Sequence, residues 1–436
     1  MTSHNHMNNT IYDLVGIGLG PFNLGMAALT NDLTDITACF FEKKPNFDWH
    51  TGIMPEWSTL QIPFIADLVS FADPTSRFSY LNYLKKTGGL YQFYIREDFC
   101  PLRSEYNQYC SWVSNQLENL NYSCHVTDIT YDEQQKLYTV FGQNGSDSNF
   151  AVQTKNIALG TGRAPIVPDF CKIDQEDINL GAHYSINKPK YQQKKSITIV
   201  GSGQSSAEIF YDLLQDIDVY GYELNWVTMA NRIFAMDLGK LSLEMTSPDY
   251  TDYFFSLSES TRNQVISRQD HLYKGINLKL INDIYDLLYI KAKKSPINVN
   301  MLINVRLNDV EKKNDQTLSL QLNHLDLNKE FKMDTQALIL ALGYEYKTPE
   351  FIHSISEKIN RDDTEGRYQI ARNYSIDDDE TIFVQNVGLY SHGISVPDLG
   401  MGCYRNSIII NQILGEEYYQ VEKKIAFQDF LPKALQ

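Results

Sequence analysis

A glycine-rich turn between a short apolar run and a predicted helix occurs twice in this chain of 436 residues. The first turn reads GLGPFN at 18–23 and follows the run at 11–15, and the second reads GSGQSS at 201–206 and follows the run at 196–200. A strand, a glycine turn and a helix in this order bring backbone N–H groups and a helix N-terminus to a pyrophosphate. Two such units predict that the chain binds two dinucleotides, typically a flavin and the nicotinamide that reduces it.

The overall charge argues against an anionic partner. The net charge is −16 and the pI is near 5.0, so neither nucleic acid nor an anionic membrane is expected as the main partner. An acidic surface favours a cationic substrate, although solubility alone is the simpler explanation. The 43% content of hydrophobic residues is enough for a large core, and the length allows two or three domains.

The cysteines and the apolar runs indicate the compartment. The six cysteines are scattered, with no CxxC pair and no spacing typical of a metal site. This pattern fits a reducing cytoplasm and argues against a flavin disulfide reductase, another class with two such folds. No run approaches 18 apolar residues, and residues 1–10 lack the basic-then-apolar order of a signal peptide. We therefore expect a soluble, cytoplasmic protein without a metal site or a membrane span.

The order of the predicted elements indicates an α/β fold built from two Rossmann-like, dinucleotide-binding domains. The run NIALGTG at 156–162 and its near copy ALILALGY at 337–344 look like two crossings of the chain between these domains. The expected parts are a first domain over 1–195, an inserted second domain over 196–340 with a small helical region over 240–295, and a completing part of the first domain over 341–436.

An acidic residue at the end of the second predicted strand is a candidate ribose ligand. Glu42 closes the strand 38–42 and lies 24 residues beyond Gly18, close to the spacing at which this fold places the acid for the ribose hydroxyls. The alternative is a solvated loop residue. Asn23 stands where the third glycine of the turn is usual, so we expect the first helix to lie slightly further from its strand.

Several ordered segments accompany the two turns. They are FDWH at 47–50, DLVS at 67–70, DPTS at 73–76, LNYL at 81–84, RSEY at 103–106, ALGY at 341–344 and SHGI at 391–394. Together they resemble the flavin-dependent N-hydroxylating monooxygenases of siderophore synthesis, the lysine and ornithine N-monooxygenases. The resemblance covers nearly the whole chain.

The resemblance implies a reaction and its cofactors. NADPH reduces FAD, O₂ reacts with the reduced flavin, and one oxygen atom passes to a primary amine to give a hydroxylamine. The flavin carries the difficult chemistry, so the protein has to exclude water and hold the amine beside it. The family also implies a homo-oligomer, either a dimer or a tetramer.

The resemblance also implies the cofactor sites. The residues assigned to cofactor binding in the flavin domain are Gly16, Gly18, Gly20, Pro21, Asn23, Glu42, Lys43, Trp49, His50, Gln61, Val126, Gly343, Pro397, Asp398 and Leu399. His50 is in addition a candidate acid–base catalyst. For Trp49 and His50 the alternative is a pair of packed aromatic side chains in a loop.

The nicotinamide site departs from the family pattern. The residues assigned to it are Gly201, Gly203, Gln204, Ser205, Ser206 and Arg232. The strand 224–228 is normally followed by arginines that bind the 2′-phosphate of NADPH, but this chain has Met229 and Ala230 there. Either Arg232 substitutes from a shifted position, or the preference for NADPH over NADH is weakened.

The substrate positions differ most from the family. Where the relatives of the family bind the α-carboxylate with a Lys, an Asn and a Ser, this chain has Ala66, Leu243 and Gly400. A buried carboxylate would lose charge-assisted hydrogen bonds worth about 1.5–3 kcal/mol each. We therefore predict a primary amine without an α-carboxylate, either histamine or a diamine such as putrescine or cadaverine.

The choice between these amines stays open. Leu272 aligns loosely with an Asn that contacts the reacting amine in ornithine enzymes, which makes the pocket still more apolar and favours the imidazole of histamine slightly. Glu244, Asp270 or Asp283 are the acids that would accept the second ammonium of a diamine.

Three other functions remain as alternatives. The nearest is an L-lysine N6- or L-ornithine N5-monooxygenase whose carboxylate contacts have moved. A Baeyer–Villiger or sulfur-oxidising flavin monooxygenase has the same two turns, and GAHYS at 181–185 distantly resembles its fingerprint. The third is a sensor that binds dinucleotides without turnover. Amine-dependent oxygen consumption separates the sensor from the enzymes.

Overall fold

The structure, a computed structural model, describes residues 10–145, 148–173, 176–313, 317–363 and 365–432. The first part of the chain forms β1 Ile11–Ile17, α1 Pro21–Thr30, β2 Ala38–Phe41, α2 Tyr80–Thr87, α3 Leu90–Arg96, α4 Arg103–Ser114, β3 Leu120–Asn121, β4 Cys124–Asp132, β5 Leu137–Asn144, β6 Ser148–Leu159 and β7 Ala164–Pro165.

The middle and last parts complete the α/β fold. The middle part forms β8 Ile178–Leu180, α5 Tyr184–Tyr191, β9 Ser196–Val200, α6 Gln204–Tyr220, β10 Glu223–Val227, α7 Lys240–Leu243, α8 Pro248–Ser256, α9 Glu259–Arg268, α10 Asp270–Tyr273, α11 Leu278–Lys294, β11 Val299–Leu302, β12 Val305–Lys312, β13 Leu318–His324, β14 Lys329–Thr335 and β15 Ala337–Leu340. The last part forms β16 Tyr344–Glu345, β17 Ile382–Val384, α12 Leu389–His392 and α13 Met401–Leu414.

The first sheet carries the first glycine turn. It has seven strands, in the order β3-β2-β1-β6-β5-β4, with β17 also paired to β6. β1 runs parallel to β2 and β6, and β17 runs parallel to β6, so the carboxyl ends of these four strands lie at one edge. Gly16 lies inside β1, where a Cβ atom would come within 2.1 Å of the Phe40 ring on β2. Glycine at this position therefore allows β1 and β2 to pack.

The second sheet carries the second glycine turn and includes a strand from before residue 196. Its five strands run in the order β11-β10-β9-β15-β8, and all pairs are parallel. β8 belongs to this sheet although it precedes residue 196. The boundary expected at 195/196 separates β8 from its own sheet, whereas a boundary between β7 and β8 keeps the five strands together. A strand of three residues is too short to give a periodicity signal.

The two crossings of the chain lie side by side. β7, which follows the run at 156–162, pairs antiparallel with β16, which follows β15. A third, antiparallel sheet of β12, β13 and β14 packs its apolar face on β9, β10 and β15. Helices α7 to α11 fill the region between β10 and β11, where the apolar spacing predicts helices. None of the helices in the described ranges is both long enough and apolar enough to cross a membrane.

A buried ion pair joins the two domains. Arg103, at the start of α4 in the first domain, donates two hydrogen bonds of 2.8 Å to the carboxylate of Glu208 on α6 in the second. Only 1% of the Glu208 side chain is exposed. The segment after β2 adds a close backbone contact, because a Cβ on Gly52 would lie 1.8 Å from Ala182 O. These contacts fix the edge of the first sheet against the second domain.

Candidate active site

The first glycine turn is shaped by two different requirements. Gly18 has φ of +86°, and a Cβ there would lie 2.5 Å from Gly160 O, so this glycine is needed for the turn and for the neighbouring strand. Gly20 precedes Pro21 at the start of α1, and a Cβ there would meet no atom within 4 Å. α1 has no side-chain cap, so its first N–H groups face open space next to Gly20. This opening has the properties of a phosphate site.

Glu42 lies at the turn rather than out in solvent. Its carboxylate accepts hydrogen bonds from Leu19 N at 2.8 Å and from Lys44 N at 2.9 Å, and the residue is 9% exposed. Cys124 N, at the start of β4, donates to Glu42 O, and buried Val126 follows on the same strand. Glu42 and Val126 therefore lie close to each other beside the turn, as a ribose and adenine site requires, while Lys43 is exposed.

Asn23 does more than replace a glycine. Its side-chain amide donates to Gly18 O at 2.8 Å and to Ala158 O at 3.3 Å, and the residue is fully buried. A Cβ on Gly160 would come within 2.3 Å of the same amide nitrogen. The extra space expected between α1 and its strand is thus occupied by the asparagine side chain, which ties α1 to β1 and β6.

Trp49 and His50 lie in the first domain, and His50 faces the paired crossings of the chain at β7 and β16. The Trp49 ring packs edge-on against Tyr106 at 5.3 Å, and the His50 ring lies 6.0 Å from the ring of Tyr344 on β16. Although part of His50 is exposed, desolvation of its ring and the charge of Arg103 lower its pKa to about 4. His50 is therefore neutral at pH 7 and is not a cationic acid there, and its catalytic role stays a prediction.

The loop before α13 faces the start of α1. Asp398 accepts a hydrogen bond from Gly400 N at 2.7 Å, and burial raises the pKa of Asp398. Pro397, Leu399 and Gln61 are partly buried. A small cavity between α1 and α13 is lined by Pro21, Phe22, Asp67, Leu68, Tyr106, Leu399, Gly402, Cys403 and Asn406. The predicted flavin residues Pro21 and Leu399 thus share one cavity with the neighbours of Ala66.

Two of the three apolar substrate positions lie in contact distance of each other. Ala66 is 6% exposed, and a Cβ on Gly400 would lie 3.6 Å from the Ala66 Cβ and 3.7 Å from the Phe71 ring. Leu243 is 43% exposed at the end of α7. Leu272, on α10, packs against the apolar cluster of the helical region. Neither Ala66 nor Gly400 offers a side-chain group that could bind a carboxylate.

The three acids predicted as ammonium ligands already have partners. Glu244 accepts hydrogen bonds from the backbone of Phe427 and Gln428. Asp270 pairs with Lys274 at 2.8 Å, and Asp283 pairs with Lys279 at 2.6 Å. The structure therefore places all three in other contacts.

The second glycine turn also opens at a helix N-terminus. α6 begins after Gly203 without a side-chain cap, and a Cβ on Gly203 would meet only Lys274 O, at 3.8 Å. A Cβ on Gly201 would lie 2.3 Å from Ala341 O, so this glycine is required by the neighbouring strand. The backbone N–H groups of this turn and of Ser205 fit a pyrophosphate.

Several side chains predicted at the nicotinamide site point to other partners. Gln204 donates to Glu208 at 2.8 Å and accepts from Asn277 N, and the Ser206 hydroxyl donates to Gly203 O. Arg232 is exposed, with its guanidinium 5.7 Å from the Phe234 ring. Gly343 has φ of +91° and open space around it, at the return crossing of the chain.

A larger cavity of about 760 Å³ adjoins this site at Tyr344. Its lining includes Arg163, Arg361 and Arg367 together with Glu259 and Glu345. These charges of both signs distinguish it from the apolar surroundings of Ala66 and Gly400. Aromatic and aliphatic side chains, among them Phe255, Tyr346 and Ile370, line the rest of this cavity.

Arg405 is the site residue that sequence reasoning missed. It is 1% exposed, donates to Gln385 at 2.7 Å and to Val396 O, and lies 4.4 Å from the Phe22 ring at the start of α1. Burial lowers its pKa to about 10, so it remains a cation at pH 7. Its position on α13 gives no motif, because only the packing of α13 on α1 makes it buried.

His392 of the SHG segment has a structural role. Its ring stacks on Tyr374 at 4.4 Å, and its two nitrogens contact the Ser391 hydroxyl and Arg372 O. Full burial lowers the pKa of His392 to about 3. The imidazole is therefore neutral and serves to close the loop before α13.

Comparison with known proteins agrees with this geometry. A model of the L-lysine 6-monooxygenase/L-ornithine 5-monooxygenase family matches residues 10–346. The putrescine N-hydroxylase of Acinetobacter baumannii is 57% identical over 422 residues, which are 97% of this chain and 94% of that protein. DfoA from Erwinia amylovora, a cadaverine monooxygenase of the desferrioxamine pathway solved with FAD, has a TM-score of 0.95 at 45% identity and covers 98% of this chain and 99% of its own.

A more distant structure confirms the fold. The ornithine N-hydroxylase KtzI of Kutzneria sp. 744, with reduced FAD, NADP⁺ and L-ornithine, has a TM-score of 0.87 at 23% identity and covers 93% of this chain and 99% of its own. The predicted α/β fold with two dinucleotide-binding domains is therefore correct. The open helix N-termini at Gly20 and Gly203 fit FAD and NADPH. The chain belongs to the lysine and ornithine N-monooxygenase family, whose members are flavin-dependent enzymes that N-hydroxylate amines.

Proposed function

We propose that this enzyme N-hydroxylates an aliphatic diamine, with putrescine or cadaverine as the substrate, for siderophore synthesis. The observation that carries the proposal is the contact between Ala66 and Gly400. Both positions hold carboxylate ligands in the amino-acid enzymes that the sequence resembles, and both are apolar here. The reduced flavin, when bound, would react with O₂ and so provide the oxidant for the amine.

The pocket selects against an amino acid for an energetic reason. An α-carboxylate beside Ala66 and Gly400 would leave water without regaining a charge-assisted hydrogen bond, each of which is worth about 1.5–3 kcal/mol. An alkyl chain makes no hydrogen bonds to water and therefore has none to lose beside Ala66 and Gly400. Two missing contacts together therefore correspond to a discrimination of about 100-fold or more in kcat/KM.

A diamine is favoured over histamine by the comparisons. The relative at 57% identity is named for putrescine and the one at 45% identity for cadaverine. Putrescine differs from butylamine, and cadaverine from pentylamine, by a second ammonium group. A partly desolvated carboxylate binds such a group well. Asp398 lies beside this pocket, because its Oδ1 is 3.0 Å from the position of a Cβ on Gly400.

The chain's own residues contribute positioning and water exclusion. The Trp49 ring packs against Tyr106, and the His50 ring faces Tyr344 at the crossing of the chain. His50 is neutral at pH 7 and therefore places no positive charge near the amine. The amine that is oxidised has to react as its free base.

A panel of amines tests the proposal. Hydroxylamine formation is measured against NADPH oxidation with putrescine, cadaverine, histamine and butylamine, each over a range of concentrations. We expect putrescine or cadaverine to give the highest kcat/KM and hydroxylamine in nearly the amount of NADPH consumed. Histamine as the best substrate would contradict the diamine assignment, and NADPH oxidation without hydroxylamine from any amine would contradict the proposed reaction.

The proposal extends to the oligomeric state of the enzyme and to its cellular compartment. We propose that the enzyme is a homo-oligomer, as the family resemblance suggests, and that it works in the cytoplasm. All six cysteines are free thiols, which suits a reducing compartment. Sedimentation of the purified holoenzyme tests the first statement.

A further inference from the structure

Residues 419–430 cross from the first domain to the helical region. Beyond α13, the Asn411 side chain exchanges two hydrogen bonds of 2.7 and 2.9 Å with the backbone of Tyr419. The Tyr419 hydroxyl donates to Leu29 O on α1 at 2.8 Å. From there the chain runs to α7 and α8. We call residues 419–430 the C-terminal strap.

Two carboxylates of the helical region hold the C-terminal strap by its backbone. Glu244, directly after α7, accepts from Phe427 N at 2.9 Å and from Gln428 N at 3.0 Å. Asp249, in the first turn of α8, accepts from Ile425 N at 2.8 Å. Backbone N–H groups of the strap thus donate to acids at the end of α7 and at the start of α8, and these bonds hold the strap against both helices.

An aromatic contact completes the attachment. The Phe430 ring packs edge-on against Tyr250 at 5.1 Å and lies parallel to Tyr253 at 6.1 Å. Tyr250 is buried in the cluster that includes Ile394, shortly before the loop to α13. The strap therefore contacts the core of the helical region as well as its surface.

The strap fixes the backbone on both sides of Leu243. The Gln428 side chain donates to Leu241 O at 2.6 Å, and it also donates to Glu244 at 3.0 Å. Leu243 lies between these two anchored residues. A shift of Leu243 would have to break contacts to the strap on each side.

We propose that Glu244 and Asp249 are positioning residues that act through the C-terminal strap to hold Leu243, and that neither binds the amine. The inference rests on the proposed function, because it treats Leu243 as part of the substrate site. Two backbone N–H groups already fill the carboxylate of Glu244 and hold its pKa below the usual range. The charge of Glu244 is thus used to bind the strap.

Two variants with a matched control test this role. Glu244→Gln and Asp249→Asn each weaken a different attachment of the same strap, whereas Glu416→Gln changes an exposed acid just after α13. Each variant is assayed as the holoenzyme with putrescine and with butylamine, which lacks the second ammonium. Anaerobic reduction of the flavin by NADPH and the rate of tryptic cleavage at Lys423 and Lys424 are measured in parallel.

A positioning role predicts the same pattern in both variants. We expect KM to rise about tenfold for putrescine and for butylamine alike, as for the loss of one hydrogen bond to a charged group. Tryptic cleavage should be faster, flavin reduction unchanged, and the control like the wild type. A rise in KM for putrescine alone, in Glu244→Gln alone, would instead make Glu244 a ligand of the second ammonium and overturn the proposal.

Two further outcomes separate this inference from the proposed function. Faster cleavage with an unchanged KM for both amines would show that the strap does not position the substrate site, and unchanged cleavage would show that these acids do not hold it. Either result contradicts the inference alone. If the wild type forms no hydroxylamine from either amine, the proposed function fails, and the substrate role of the strap fails with it.

Discussion

At the scale of single residues, the structure separates groups that the sequence makes look alike. His50 and His392 both lie in segments typical of the family, and both are neutral at pH 7, with pKa values lowered to about 4 and about 3. Desolvation is the main cause in each case. Glu42 and Glu244 each follow a short element, β2 and α7 respectively. Glu42 accepts a hydrogen bond at the first glycine turn, whereas Glu244 binds the C-terminal strap.

The pKa of His50 gives a prediction with a definite sign. In the unfolded chain His50 takes up a proton near pH 6.5, but in the folded protein only near pH 4, so its contribution to stability falls as the pH drops through this window. His50→Asn, which tolerates the left-handed backbone at φ of +57°, should lose less stability between pH 7 and 5 than the wild type in urea unfolding.

The same variant tests the role of His50 in catalysis. Because the imidazole is already neutral, the pH profile of kcat between about pH 5.5 and 8 should keep its shape in His50→Asn. An inflection near pH 6.5 that is present in the wild type and lost in the variant would show that His50 does transfer a proton.

At the scale of elements, the sequence predicts the two strand–turn–helix units well and their surroundings less well. The strands at 11–17 and 196–200 and the helices after them come from local patterns of apolar residues and glycine. β8 and β16 are too short for such a pattern, and the neighbours of the C-terminal strap are far away in sequence. Arg405 is buried only because α13 packs on α1.

The two open helix N-termini give a pair of matched predictions. Gly20→Ala adds a Cβ where the protein has no atom within 4 Å, and Gly203→Ala adds one with a single contact at 3.8 Å, so both variants should fold. Gly20→Ala should weaken FAD binding by about tenfold, and Gly203→Ala should raise the KM for NADPH by a similar factor. The flavin absorbance per protein and the NADPH dependence measure these effects.

Gly18→Ala is the informative contrast to Gly20→Ala. Its Cβ would meet Gly160 O at 2.5 Å, at φ of +86°, so this variant should lose stability whether or not FAD is bound. Full retention of FAD in a folded Gly20→Ala enzyme would contradict the assignment of the first turn to the flavin.

At the scale of the whole molecule, the domains are joined by a small number of buried polar contacts. Arg103 of the segment RSEY contacts the second domain, and Trp49 of the segment FDWH packs against Tyr106 of RSEY. The sequence identifies these segments as typical of the family, but it does not predict their contacts with α6 and β16. The pair of Arg103 and Glu208 is the clearest case, because Glu208 belongs to the other domain.

Removal of one partner of this pair should be costly. Arg103→Ala leaves the carboxylate of Glu208 buried without its cation, which we expect to lower the free energy of unfolding by about 3–5 kcal/mol. Arg96→Ala, which removes a largely exposed pair with Asp98, should cost at most about 1 kcal/mol. Urea unfolding of both variants compares them, and equal small effects would contradict a structural role for the buried pair.

Matched pairs of substrates measure how strongly this enzyme selects against an α-carboxylate. Ornithine is putrescine with an added carboxylate, and lysine is cadaverine with one. We predict that kcat/KM for hydroxylamine formation by the wild type is at least about 100-fold higher for each diamine than for its amino acid, and that Ala66→Lys narrows this ratio. An amino acid that reacts as well as its diamine would contradict the account.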